Sequence, residues 1–173
     1  MNITKKIIIS DTNIITDLYI AGLALTFVLL DNVYVSDMIL NDELNNKTCD
    51  YNIINNIKPI KSTINDIHKM IEIAKIYPKL SIYDCMNYVL SKKHNAILAT
   101  GDHRLRKLSL ENGVEVIRTL KIIELLYENN IISEEEVFAS CNKLMESNKV
   151  RIPKKDIELF MTNIKNKKVL NVK

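Results

Sequence analysis

Two acidic residues far apart in the chain stand in the same local setting. Asp11 follows the apolar run Ile7-Ile8-Ile9-Ser10 and precedes Ile14, Ile15, Leu18 and Tyr19 at helical spacing. Asp102 follows Ala96-Ile97-Leu98-Ala99-Thr100-Gly101 and precedes a second helical stretch that runs to Asn112. Each acid is expected at the carboxyl end of a buried strand, in the turn to a helix, where open α/β sheets place their ligand sites. Taken singly, each is equally well explained as a helix N-cap. Taken together they say more. Neighbouring parallel strands lie ~4.8 Å apart, and two carboxylates so close repel until one is protonated or a cation sits between them. Mg²⁺ or Mn²⁺ is the fitting cation, because carboxylate and water oxygens are its preferred ligands.

Two further acids are candidates. On a helix begun near Ser36, Glu43 falls four residues after Ile39 and three after Leu40, on the apolar stripe, and Glu is seldom buried without a partner. Glu43 is therefore expected to face a site, with Asp42 its competitor if the helix phase differs. Asp84 stands three residues after Ser81, and a capping box accounts for it fully on local grounds.

The elements that position these residues alternate between strand and helix. Strands are expected at 7–9, 33–36, 96–100 and 114–117, with a weak candidate at 57–60. Helices are expected after Asp11, across 21–30, from Ser36 to Leu44, from the Thr63/Asp66 capping box to Pro78, from Ser81, from Asp102 to an αL cap at Gly113, and from Thr119. The helix from Ser81 should bury Ile82, Cys85, Met86, Val89 and Leu90. Two more helices fit the tail, one capped by Ser133 and Glu136, the other opening at Pro153 and carrying Ile157, Phe160, Met161 and Ile164. This order predicts an α/β protein, an α/β/α sandwich around a mostly parallel sheet of four or five strands.

Composition sets outer limits. The 173 residues fit one domain, with 47% hydrophobic and 26% charged residues, as in ordinary globular proteins. The net charge of +3 neither demands nor opposes a nucleic-acid partner. Cys49, Cys85 and Cys141 are odd in number and far apart, which argues against a disulfide framework or a CxxC metal pair and fits a reducing cytoplasm. Three apolar residues after Lys5-Lys6 are too few for a signal peptide. The longest apolar run, 20–30, falls short of the ~20 residues that span a bilayer, so no membrane association is expected. His68 and His94 lack ligand spacing, and Walker A and GxGxxG patterns are absent.

Asp11-Thr12-Asn13, Glu43 on the helix after the second strand, Asp84 on a later helix, and Thr100-Gly101-Asp102 after a further strand together resemble a PIN domain, the fold of metal-dependent nucleases that include VapC-type toxins. The resemblance covers about 6–126, with order and spacing of the acids both matching. It implies a nuclease domain over 1–130, with 131–173 as a helical extension packed on it that the compact toxins lack. It also implies that Asp11, Glu43, Asp84 and Asp102 hold Mg²⁺ or Mn²⁺, that Asn13 and Thr100 support them by hydrogen bonds, and that RNA phosphodiesters are hydrolysed by metal-activated water. A small antitoxin and a homodimer are the implied protein partners. Where the family commonly has Asn before the last acid, this chain has Gly101, a residue suited to a tight turn.

His103, Arg104, Arg106 and Lys107 follow Asp102 directly, and Arg104, Arg106 and Lys107 are candidates for a substrate phosphate. Lys92, Lys93, Lys149, Arg151, Lys154, Lys155, Lys165, Lys167 and Lys168 form further basic groups, most of them read as surface charge that aids solubility, any one of which could add salt-sensitive RNA affinity. Haloacid-dehalogenase-like phosphatases need an Asp where Asn13 stands, which disfavours them. The other function left open is a PIN-like module that binds RNA or protein with an idle metal site.

Overall fold

The computed structural model describes residues 2–44 and 51–171. Five parallel strands, β1 (Ile8–Ser10), β2 (Val33–Ser36), β3 (Pro59–Ile60), β4 (Ile97–Ala99) and β5 (Val116–Ile117), form one sheet in the order β3-β2-β1-β4-β5. The class is the α/β one expected. The chain builds outward from β1 to β3, then returns to the other side of β1 with β4, so strand order reverses between β1 and β4. That reversal opens the crevice above their carboxyl ends.

Strand alternation feeds two cores. Ile8, Val33, Val35, Ile97 and Ala99 join one apolar cluster, while Ile9 and Leu98 join the other. The first cluster is covered by α1 (Thr12–Ala21), α2 (Ala24–Val28), α8 (Thr119–Glu128), α9 (Glu134–Glu146) and α10 (Lys154–Asn171). The second is covered by α6 (Ile82–Lys93) and α7 (His103–Glu111), with Met70 of α5 (Ile64–Ile76). Val137, Cys141 and Leu144 of α9, with Ile157 and Ile164 of α10, are buried in the same cluster as Ile8.

Gly113 takes the αL cap expected of it, with φ 74° and the paired bonds Gly113 N–H to Leu110 O (3.1 Å) and Val114 N–H to Ser109 O (2.9 Å). The capping boxes at Thr63, Ser81 and Ser133 all form.

Several elements differ from expectation. The helix after β2 is one α turn, α3 (Asp37–Ile39), continued as a π-helical turn over Leu40–Leu44. Ser36 does not cap it. Still in the β2 ladder opposite Ile60, Ser36 points inward and is fully buried, and Asp37 takes the Met38 N–H and the Ser62 hydroxyl instead. A short helix, α4 (Tyr51–Asn56), lies where no helix was expected, while residues 45–50, Cys49 among them, lie outside the described residues. The first strand lies one residue later than expected, at Ile8–Ser10, and the candidates at 96–100 and 114–117 shrink to Ile97–Ala99 and Val116–Ile117. Ile82 is 47% exposed, because it stands in the first turn of α6 before the helix reaches the sheet. Among the described residues no helix is long and apolar enough to cross a membrane.

Candidate active site

The carboxyl ends of β1 and β4 are tied together residue by residue. Ser10 pairs with Ala99, and the Asp11 N–H donates to Ala99 O at 2.9 Å. From that junction the two acids begin their helices. Asp11 caps α1 with Oδ1 accepting the Thr12 N–H at 2.8 Å. Its Oδ2 accepts the Thr100 hydroxyl (2.9 Å) and the Asn13 amide (2.5 Å), and the residue is only 6% exposed. Asp102 caps α7 with Oδ1 alone, which accepts the Arg104 and Leu105 N–H groups, both at 2.8 Å. Both acids therefore cap helices and line one cleft.

Thr100 and Asn13 join the two turns. The fully buried Thr100 hydroxyl donates to Asp11 and accepts the Asp102 N–H at 3.1 Å. Asn13 donates to Asp11 and accepts the Gly101 N–H at 2.9 Å through Oδ1. A Cβ at position 101 would stand 3.2 Å from that Oδ1. Gly101 thus permits close approach of Asn13; a left-handed turn is not the reason for it.

Asp84 reaches the same cleft from α6. Its Oδ2 accepts the Ser81 N–H (2.9 Å) and hydroxyl (2.8 Å), so the capping box holds the carboxylate at the rim. The cleft, of about 610 Å³, is lined by Asp11, Asp84 and Asp102, with Asn13, Tyr83 and His103 among its other walls. The backbone of Glu43 lies in the π-helical turn, and its side chain lies outside the described atoms. Asp42, its competitor, is exposed and accepts a long hydrogen bond (3.4 Å) from the hydroxyl of Tyr83.

The basic residues sort differently from expectation. Arg104 and Lys107 line a separate apolar groove of about 490 Å³ with Tyr77 and Leu80, and Arg104 donates to Lys79 O. Arg106 lines neither recess. One α7 turn carries the chain away from the acids, so of this run it is His103 that faces them. Arg118, Lys149 and Arg151 line the acid cleft instead.

Asp17 is a carboxylate of the cleft wall that the pattern of strand-end acids does not single out. Burial raises its pKa, opposed by the Thr119 hydroxyl at 2.7 Å and the charge of Arg118. Asn13, Thr16 and Asp17 form a polar stripe at i, i+3 and i+4 on an otherwise apolar helix, and all three line the cleft. That stripe was the available signal. No such signal marks Lys149 or Arg151, which only tertiary packing brings to the acids.

In chemistry the donor set suits a hard divalent cation, since Asp11, Asp84 and Asp102 offer carboxylate oxygen only. Among the described residues, no three His, Cys, Asp or Glu side chains are gathered closely enough to ligate one ion directly. Mg²⁺ keeps several of its waters when bound, so carboxylates can hold it through water without all touching the ion.

A family model described as DUF3368, a PIN domain, matches residues 7–166. No curated protein matches the chain. PIN domains are generally nucleases and typically use divalent metals. The matched span begins beside β1, includes Asp11, Asp84 and Asp102, and ends within α10; over nearly its whole length, then, the chain belongs to the PIN-domain family.

Proposed function

We propose that the protein is a Mg²⁺- or Mn²⁺-dependent endoribonuclease. The observation that carries this reading is that Asp11, Asp84 and Asp102, from three separate elements, line one cleft at the strand-order reversal of a PIN-domain sheet. With Glu43 they are the residues that would hold the ion, which supplies an activated water and offsets charge on the phosphate and the leaving oxygen. Water oxygen bonds to phosphorus, the P–O3′ bond breaks, and the 3′ oxygen leaves as a hydroxyl. Three donors hold the Asp11 carboxylate in place, so the site is set before substrate arrives. Asn13 and Thr100 keep the two turns in register, and Asp102 presents its second oxygen while the first is spent on α7.

The proposal extends to a cytoplasmic toxin whose cleft a small antitoxin covers. A homodimer would bury the apolar stripe of α5, where Ile64 is 74% exposed and Ile67 and Ile71 are exposed beside it. The idle-module reading is favoured by one observation, that among the described residues no three His, Cys, Asp or Glu side chains are gathered about one point. Incubating the full chain with single-stranded and structured RNA, with Mg²⁺, with Mn²⁺ or with chelator, beside Asp11→Asn, separates the two. Metal-dependent cleavage that Asp11→Asn abolishes is the expected result. Binding without cleavage under every metal condition would overturn the enzyme reading in favour of the module.

A further inference from the structure

We infer that the segment 147–153, between α9 and α10, carries a phosphate-binding subsite for single-stranded RNA, formed by Lys149 and Arg151 with Arg118 at the same carboxylate cleft. This rests on the hydrolase reading and gives the helical extension a role in it. The segment alternates. Val150 and Ile152 pack against the main apolar cluster, while Lys149 and Arg151 between them are exposed and line the cleft. Its ends are fixed as well. Ser147 N–H donates to Lys143 O and Ser147 Oγ accepts the Lys149 N–H at 3.2 Å, while Pro153 O accepts the Asp156 and Ile157 N–H groups of α10. Two cations thus line an acidic cleft from an anchored stretch of backbone.

Their charge is not consumed by the fold. Among the described residues neither Lys149 nor Arg151 has a carboxylate within ion-pair distance. Arg118 differs, since its charge acts on Asp17. A cleft carrying Asp11, Asp17, Asp84 and Asp102 repels a polyanion, so a substrate backbone needs cations beside the acids to enter. Arg151 suits bidentate contact with a phosphate and Lys149 suits a point contact. Phosphate contacts of this kind set register and orientation, not base identity.

The test is binding of a labelled single-stranded RNA to the full chain in chelator, by fluorescence anisotropy across a salt series, so that no turnover enters the measurement. For Lys149→Ala/Arg151→Ala we expect about tenfold weaker binding. The slope of log affinity against log salt should be shallower by about 1.4, at about 0.7 for each phosphate that the variant no longer neutralises. Lys154→Ala/Lys155→Ala removes the same charge from the first turn of α10, outside the cleft, and should keep the wild-type slope. Lys149→Arg/Arg151→Lys should restore it. An unchanged slope in the first variant, or an equal loss in the α10 control, overturns the subsite. Failure of the nuclease reading would show separately, as no metal-dependent cleavage by a chain whose binding still depends on Lys149 and Arg151.

Discussion

Thr63-x-x-Asp66 and Ser81-x-x-Asp84 are one device built on two consecutive helices. In each, the N-cap hydroxyl accepts the third amide of the helix (3.3 and 3.0 Å), and the acid accepts the N-cap amide at 2.9 Å. Their surroundings then diverge. Asp66 is 2% exposed and bonded by Lys93 Nζ at 2.6 Å, because pairing of α5 with α6 sets the last turn of α6 beside the first turn of α5. Asp84, at the other end of α6, is half-buried and faces the cleft with Asp11 and Asp102. A local motif fixes where a carboxylate stands. What its charge is for depends on what tertiary packing sets against it.

The comparison predicts crossed effects, the largest of them on activity. Asp84→Asn keeps an oxygen for the capping bonds but removes a charge from the cleft. Metal-dependent RNA cleavage should fall by roughly two orders of magnitude, with little change in melting temperature. Asp66→Asn should leave cleavage per folded molecule unchanged. If the two variants lose activity equally, the division between them fails, and the cleft acids have no special standing.

This division also marks how far the sequence could be read. The turns at Asp11 and Asp102 were legible because an uninterrupted apolar run followed by helical periodicity is a local pattern. So was the parallel sheet, since helices must separate parallel strands. Asp84 was not, because its capping box satisfies every local demand and hides any second role. The phase of Glu43 could not be read from α-helical spacing, since the turn at Leu40–Leu44 is π-helical and carries successive side chains round differently. Helix α4 was missed because Asn is a poor helix former; Ile53 and Ile57, both buried in the main cluster, hold that segment instead. Arg104 and Lys107 adjoin an acid in sequence yet line a different groove, whereas Lys149 and Arg151, distant in sequence, line the cleft of the acids.

The next effect in size is on stability, and it belongs to Asp66. Burial opposes its charge, but bonds from Lys93 and Thr63 more than offset this and hold the pKa down to about 2, from 3.8. A depressed carboxylate stabilises the fold fully above its unfolded pKa. The contribution, about 2 kcal/mol, is therefore lost as pH falls from about 4 through 2. Denaturant unfolding of the wild type against Lys93→Ala should show the gap between them closing over that window. Asp66→Asn should cost a similar amount at neutral pH and flatten the same limb. A constant gap from pH 5 to pH 2 would mean that the pair is too well solvated to matter.

The smallest effect sharpens the comparison most, since it asks whether the two boxes are worth the same as caps. Thr63→Ala and Ser81→Ala each remove an N-cap hydroxyl and should each cost about 1 kcal/mol in chemical denaturation. For Thr63→Ala the loss should end there, because Lys93 still holds Asp66 in place. For Ser81→Ala it should not. The Ser81 hydroxyl bonds Asp84 Oδ2 at 2.8 Å, and without it the carboxylate keeps the backbone bond to Ser81 N–H but gains freedom to turn at the cleft rim. Cleavage should then drop several-fold, through kcat, with substrate binding in chelator unchanged, because the phosphate contacts lie elsewhere. Equal stability losses with a cleavage defect confined to Ser81→Ala would mean that the second box positions a working acid as well as starting a helix. Equal losses with no cleavage defect in either would reduce Asp84 to a cap and leave Asp11 and Asp102 to carry the site.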